Sequence, residues 1–171
     1  EVHTGVAVTG IDAEGVKLGE RRLHAHTVLW AAGVAASPVG RLLGAPLDRA
    51  GRVQVRADLS LPAHPEVFVI GDLAGIMQAD DKPVPGVAPA AKQMGKHAGG
   101  TIAARLKGGD DRSAFRYRDE GSLAAIGRLA AVAQFGKLKL SGFVAWIVWL
   151  LVHIWFLIGF RNRLVVMLDW A

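Results

Sequence analysis

The stretch VFVIGDLA, residues 67–74, decides the fold expected for this chain. Its first four residues are all apolar, which is typical of a strand buried on both faces of a parallel sheet. In doubly wound α/β folds, ligands bind beyond the carboxyl ends of such strands. Asp72 could accept hydrogen bonds from ligand hydroxyl groups there, and Gly71 would let the backbone approach closely. The plainer alternative is that Asp72 only satisfies backbone donors at the strand end.

A helix is predicted after the loop that follows, from about Pro89 to about Leu106. Proline is favourable in the first helical turn, and Lys107-Gly108-Gly109 ends the pattern. The positive end of this helix would face a ligand held by Asp72. A reduced flavin carries negative charge on its pyrimidine edge, so such a helix start would stabilise it.

The residues upstream predict further β structure. Residues 1–30 alternate short β-rich runs with turn signals, which indicates a hairpin or meander. The apolar run 27–30 predicts a second buried strand that ends at the turn Ala31-Ala32-Gly33, where a ligand could approach. Residues 52–55 predict another strand, and residues 41–43 one helical turn at most. Together these patterns favour a parallel α/β sheet.

The composition limits the chemistry. The chain has 171 residues, 51% of them hydrophobic, so it can bury a sizeable core. It has no cysteine, which excludes disulfides, thiolate metal sites and cysteine redox chemistry. We predict no metal site and expect any redox chemistry to use a bound cofactor. Nothing at the Glu1 end reads as a targeting segment, and we expect a fragment whose N-terminal part is missing.

The charge distribution favours a membrane surface over nucleic acid. The net charge is +5, and the segment from Asp111 onward contains eight basic and four acidic side chains. A basic, tryptophan-bearing and very apolar region suits an anionic membrane surface. Nucleic-acid surfaces lack such long apolar runs.

Residues 143–160, FVAWIVWLLVHIWFLIGF, form an uncharged run. As one helix it would be roughly 27 Å long, close to the roughly 30 Å hydrocarbon core of a bilayer. However, Trp146, Trp149 and Trp155 lie inside the run, whereas a spanning helix usually keeps tryptophan near its ends. We therefore favour a helix at the interface or half-buried against protein; a span and an ordinary core helix are the alternatives. His153 is expected to be a hydrogen-bonded packing residue.

These segments together resemble the type II NADH:quinone oxidoreductases, which are FAD-dependent. VFVIGDLA and PGVAPAAKQMGKHA are similar to the family's second FAD-binding segment and its quinone-site helix. TVLWAAGVAASPVGRLLG and DRAGRVQV look like the return strand from the NADH-binding domain. YRDEGSLAAIGRLAAV and AWIVWLLVHIWFLIGFRNRLVV resemble the C-terminal membrane-attachment region. The resemblance covers nearly the whole chain in the right order.

The resemblance implies a cofactor site. Asp72 matches the aspartate that binds the FAD ribityl chain, and Gly71 matches the glycine before it. The turn formed by Ala31, Ala32 and Gly33 matches the one near the flavin and the nicotinamide.

The resemblance also implies a quinone site at the helix start. Four small residues match the part that packs on the isoalloxazine ring: Ala88, Pro89, Ala90 and Ala91. The family often has Ala-Gln where this chain has Ala88-Pro89, while Gln93 stands at the second glutamine position. Gln93 is therefore a candidate quinone contact and Lys92 a candidate proton donor, whereas His97 is expected to be solvated or packed.

The expected fold is α/β: part of a flavoprotein with two Rossmann-like dinucleotide-binding domains, plus a C-terminal helical membrane-attachment region. The predicted domains are the end of the NADH-binding domain (1–30), the C-terminal part of the FAD-binding domain (31–109) and the membrane-attachment, quinone-side domain (110–171). The implied reaction passes a hydride from NADH to FAD and two electrons to a membrane quinone. The enzyme would attach peripherally or monotopically to the cytoplasmic side of the cell membrane, with a homodimer as one option.

Two other functions compete with this one. One is another FAD/NAD(P)-dependent reductase with a soluble acceptor. The His-Pro pair of disulfide reductases has a counterpart in His64-Pro65-Glu66, but this precedes the flavin strand, and sulfide:quinone oxidoreductases need a cysteine. The other is a non-catalytic membrane-binding module. Because the chain has no G-x-G-x-x-G, we predict that it neither retains FAD nor oxidises NADH by itself.

Overall fold

The computed structural model describes residues 2–78, 80–110, 112–157 and 159–170. The chain divides into two compact units, Glu1–Ala35 and Ala36–Ala171, and each is considered by itself. The three-domain division expected from the sequence stays a prediction.

The first unit is an antiparallel meander of β1 (Gly10–Asp12), β2 (Gly15–Leu18) and β3 (Arg21–His24). A Cβ on Gly15 would collide with the carbonyl oxygen of Leu23, and the φ of this residue is +134°, so only glycine fits the turn. The predicted meander is confirmed, and its first strand begins at Gly10.

Residues 27–30 were predicted to form a buried strand, and this is wrong within the present chain. They form no strand, and the side chains of Leu29 and Trp30 are 88% and 63% exposed. A buried strand needs neighbours for its backbone groups, and no strand among the described residues pairs with this segment.

The second unit begins with a 3₁₀ helix, Pro38–Leu43, where the side-chain oxygen of Ser37 accepts a hydrogen bond from the N–H of Val39. The predicted strand at residues 52–55 is present as β4 (Val53–Gln54), which pairs in parallel with β5 (Ala74–Gly75).

Residues 67–70 are extended but do not form the predicted parallel strand. The N–H of Leu61 donates to the carbonyl of Val67 over 2.9 Å, and the N–H of Val69 donates to the carbonyl of Leu59 over 3.0 Å. The segment therefore pairs antiparallel with the residues just before it. The cause is the short connection of residues 62–66, since parallel pairing needs a long crossover.

Helix α1, Ala88–Leu106, lies almost where the sequence predicts it. Its buried residues are Ala90, Met94, Ala98 and Thr101, whose spacing places them on one face. The helix ends at Leu106 and is followed by the C-cap Lys107 and by Gly108, whose φ is +83°, as the sequence indicated. The buried face contributes to a core of nine residues: Val53, Leu59, Leu61, Val69, Ala74, Ile76, Val84, Ala90 and Met94.

The C-terminal region was expected to be helical, but it also contains a β-sheet. It starts with an antiparallel sheet of β6 (Ser122–Gly127), β7 (Ala130–Phe135) and β8 (Leu138–Ser141). Helices α2 (Gly142–Phe156) and α3 (Phe160–Trp170) follow. Alternate small residues of β7 are buried against α2, which lets the helix approach the sheet closely.

The uncharged run 143–160 is not a single helix. Helix α2 ends at Phe156, Leu157 is extended, and Gly159 has a φ of +85°. Within the described ranges, no helix is both long and apolar enough to cross a bilayer. The Nδ1 of His153 donates to the carbonyl of Trp149 over 2.7 Å, and the two rings pack 4.4 Å apart. The predicted hydrogen bond of His153 is confirmed, although the residue is exposed and its ring packs on Trp149 of the same helix.

Candidate functional site

The candidate site lies at the start of α1, where a 3₁₀ turn, Gly71–Leu73, packs against the helix. The N–H of Gly71 donates to the Sδ atom of Met94 over 3.2 Å. The φ of Gly71 is +68°, and a Cβ there would meet only the Cβ of Ala91, at 3.6 Å. Glycine is therefore required by the backbone conformation and not by lack of space.

Asp72 is exposed in the same turn, next to Gly86. A Cβ on Gly86 would lie 3.6 Å from Oδ1 of Asp72, so the carboxylate lies against this glycine. Among the residues that the structure describes, this carboxylate has no hydrogen-bond or ion-pair partner. Asp72 therefore does not satisfy backbone donors here, which leaves both its oxygen atoms available to accept hydrogen bonds.

The start of α1 has no side-chain cap. Its N-cap residue Val87 makes no such hydrogen bond, and Pro89 has no N–H to offer. The N–H groups of a first helical turn lack intrahelical partners and carry the positive end of the dipole, so they suit an anionic ligand. Ala88 is exposed at this end, whereas Ala90 is only 1% exposed and points into the core. A ligand could reach Ala90 only through its backbone.

Lys92 and Gln93 both contact the C-terminal part of the chain. The side-chain amide of Gln93 exchanges two hydrogen bonds with the backbone of Arg118: Nε2 donates over 2.9 Å, and Oε1 accepts over 3.0 Å. The ammonium of Lys92 lies 3.8 Å from the centre of the Phe156 ring, which is a cation–π contact. The roles of Lys92 and Gln93 in a reaction stay predictions.

Ala31, Ala32 and Gly33 are exposed and belong to the first unit, whereas Gly71, Asp72 and α1 belong to the second. Their place in a common site stays a prediction.

Comparison with known proteins identifies the family. Residues 1–95 match the family described as pyridine nucleotide-disulphide oxidoreductase, and residues 120–171 match the NDH2 C-terminal domain. The chain belongs to the pyridine nucleotide-disulphide oxidoreductase family. The second match is to the C-terminal domain of NDH2, so the resemblance to the type II NADH:quinone oxidoreductases seen in the sequence is confirmed.

Individual relatives agree with this assignment to the oxidoreductase family. The type II NADH:quinone oxidoreductases Ndh and NdhA of Mycobacterium tuberculosis are 42% and 43% identical over this whole chain, which spans 38% of the length of each. The structure of NDH2 from Plasmodium falciparum in complex with NADH has a TM-score of 0.77 at 16% identity. That likeness covers 95% of this chain and 49% of the other. It confirms that the fold is mixed α/β.

Two contributors to the candidate site were missed by the sequence reasoning. Met94 supplies the acceptor for Gly71, and Gly86 lies against Asp72. Met94 follows Ala90 by four residues, so the helical period identifies it as a core residue, but nothing in the sequence shows its sulfur meeting a backbone N–H. His97 packs edge-on against Phe115 at 5.7 Å, which confirms that it is a packed side chain.

The C-terminal end of α1 is attached through an ion pair with a buried carboxylate. The carboxylate of Asp58, 6% exposed, lies 3.7 Å from one terminal guanidinium nitrogen of Arg105, Nη2. The other, Nη1, donates to the carbonyl of Pro65 over 2.7 Å. Burial by itself raises the pKa of Asp58, but hydrogen bonds from the hydroxyl and N–H of Ser60, together with Arg105, lower it below its usual value. Asp58 thus stays ionised and fastens the helix to residues 56–68.

Proposed function

We propose that the protein containing this chain oxidises NADH and passes the electrons to a membrane quinone. The proposal is supported by the family membership and by relatives that are named for this reaction. The observation that carries it is the Gly71–Leu73 turn against the uncapped start of α1, with the unpartnered carboxylate of Asp72 beside it. The chain spans 38% of the length of these relatives, so the reaction is proposed for the protein that contains it.

The flavin expected of this family is proposed to be FAD, and the residues fit it. The carboxylate of Asp72 would accept hydrogen bonds from ribityl hydroxyl groups, and the positive φ of Gly71 turns the chain there without a side chain in the way. The N–H groups at the start of α1 would hold the anionic edge of the reduced ring. When bound, FAD supplies the hydride and electron chemistry between NADH and the quinone. The turn Ala31–Gly33 is proposed to lie near the nicotinamide.

The quinone is proposed to bind beside the first two turns of α1. Reduction of a quinone consumes two protons, and the ammonium of Lys92 is an exposed proton-bearing group in this part of the helix. Its contact with the ring of Phe156 keeps the ammonium near the end of α2. Lys92 would therefore deliver or stabilise a proton at the acceptor side.

Membrane attachment is proposed to use the outer surface of α2 together with α3. Helix α2 packs on the sheet through Ala145, Trp146 and Trp149, so only its opposite side is open. Large apolar side chains are exposed along both helices: Phe143, Val144, Leu151, Trp155, Phe156, Phe160 and Leu168. A helix half-covered by protein suits peripheral or monotopic attachment, proposed here on the cytoplasmic side. Assembly as a homodimer stays a prediction.

The test is NADH-driven quinone reduction by the full-length protein in membranes, with bound flavin measured in each variant. Asp72→Asn should lower flavin content and quinone reduction together, because the amide presents one acceptor oxygen where the carboxylate presents two. The matched control is Asp81→Asn. Asp81 lies nine residues after Asp72 in the sequence and is exposed, and its φ of +58° is one that asparagine tolerates. Flavin that is retained without quinone reduction, even in the unmodified protein, would exclude the proposed acceptor.

A further inference from the structure

The segment between α1 and the C-terminal sheet is held by a side chain in place of a strand. Residues 112–121 belong to no helix or strand, and Arg118 pairs through both its N–H and its carbonyl with the amide of Gln93. A glutamine amide carries a donor and an acceptor side by side, so it can pair with one peptide unit as a neighbouring strand would. The exchange of two bonds fixes the position of the segment along α1.

Arg118 is the last anchored point before the sheet begins. Earlier in the segment, the N–H of Phe115 donates to the carbonyl of Ala57 over 2.8 Å, and Phe115 and Tyr117 pack against the core. Strand β6 begins at Ser122, four residues after Arg118. The position of Arg118 therefore determines where the unit formed by β6–β8 and α2 starts.

The preceding residue of α1 holds the other end of that unit. Lys92 contacts Phe156, which is the last residue of α2. Between the two contacts, α2 is packed on β7 with Ala131 and Ala145 fully buried. Two consecutive residues of α1 thus contact Arg118, four residues before this packed unit, and Phe156, at the end of α2. Both lie in the first two turns of the helix.

We propose that Gln93 is a positioning residue, which sets the acceptor side of the flavin site by clamping the backbone of Arg118 to α1. This inference rests on the proposed function. The clamp keeps the end of α2 against Lys92, and so determines the width of the space beside the start of α1. Gln93 acts through the Arg118 peptide unit and not by contact with the quinone.

Two replacements separate the clamp from a direct contact. Gln93→Leu removes both hydrogen bonds at similar volume. Gln93→Glu keeps the acceptor for the N–H of Arg118, but at neutral pH it sets a carboxylate oxygen against the carbonyl. Protonation of Glu restores a donor, so the Glu variant should recover as the pH is lowered. Gln54→Glu is the matched control, because Gln54 is exposed on β4.

The first measurement is hydrogen exchange of the Arg118 amide in the 171-residue chain. We expect Gln93→Leu to accelerate it about fivefold or more, given the usual net contribution of one hydrogen bond. The second is quinone reduction by the full-length holoenzyme in membranes. There we expect the KM for quinone to rise more than kcat falls, and the KM of Gln93→Glu to return towards the wild-type value at acidic pH. The control should change neither measurement.

The outcomes separate the alternatives. A raised KM with unchanged Arg118 exchange would mean that Gln93 contacts the quinone directly, and it would overturn the inference. Faster exchange with an unchanged KM would also overturn it, because the clamp would then have no influence on the acceptor side. If the unmodified holoenzyme reduces no quinone, the proposed function itself fails, and the exchange measurement still shows whether the clamp exists.

Discussion

Replacing Met94 by leucine tests how the Gly71 turn is attached to α1. Met94 is 2% exposed, and its sulfur accepts the hydrogen bond from the N–H of Gly71. Leucine conserves the volume, and such a replacement alone costs less than about 1.5 kcal/mol. The partly buried N–H of Gly71 then loses its acceptor, which usually costs about 1–3 kcal/mol. We expect the lower half of this range, because a thioether sulfur is a weak acceptor.

The two costs together give an expected loss for Met94→Leu of about 1–3.5 kcal/mol in the free energy of unfolding, or about 2–14 °C in Tm. Met94→Ala should cost more, about 3–7 kcal/mol, because the cavity that it leaves in the core adds about 2–5 kcal/mol to the lost acceptor. Urea unfolding of the 171-residue chain, followed by circular dichroism, measures both. Met77→Leu is the control, since Met77 is 58% exposed.

Two results would refute this reasoning. Wild-type stability for Met94→Leu would mean that the sulfur contact contributes nothing and that the amide of Gly71 reaches water. Equal losses for Met94→Leu and Met94→Ala would mean that the side chain fills no tightly packed space.

Three further predictions concern Asp58, Gly15 and the flavin content of the 171-residue chain. Asp58 has a lowered pKa in the folded state, so its stabilising contribution is present above the unfolded value of about 3.9 and is lost as the pH falls through the folded value. Asp58→Asn removes the ion-pair partner of Arg105. Acid titration of unfolding should then show lower stability at pH 7 and a shallower decline below about pH 5. Gly15→Ala should disrupt the meander because the added Cβ meets the carbonyl of Leu23. Amide hydrogen exchange in β2 and β3 should then approach the rates of an unfolded chain. Gly19→Ala should have a milder effect, because a Cβ at Gly19 has open space. Finally, the purified 171-residue chain should contain no stoichiometric FAD and should not oxidise NADH; recovery of bound flavin, seen by absorbance, would contradict this.

The extent of the fold that could be predicted depended on how local its causes are. Helix α1 was found almost to the residue, because Pro89 at its start and Gly108 after its end act within a few residues. The meander followed from turn signals between short strands. The pairing of residues 67–70 was mistaken, because an apolar run indicates burial but does not say which segment covers it. The sheet at 122–141 was missed, since its small residues carry weak β preference and it depends on α2 for burial.

The sequence by itself determined the family, the absence of cysteine chemistry, the position of α1 and the Gly71-Asp72 pair at its start, since these follow from residue identity and short-range spacing. Only the tertiary structure showed what those residues touch. The sulfur of Met94 meets Gly71 across 23 positions, and Gln93 meets Arg118 across 25. Such contacts arise from the packing of the whole core, in which each hydrogen bond is placed by many distant apolar contacts, so no short stretch of sequence encodes them.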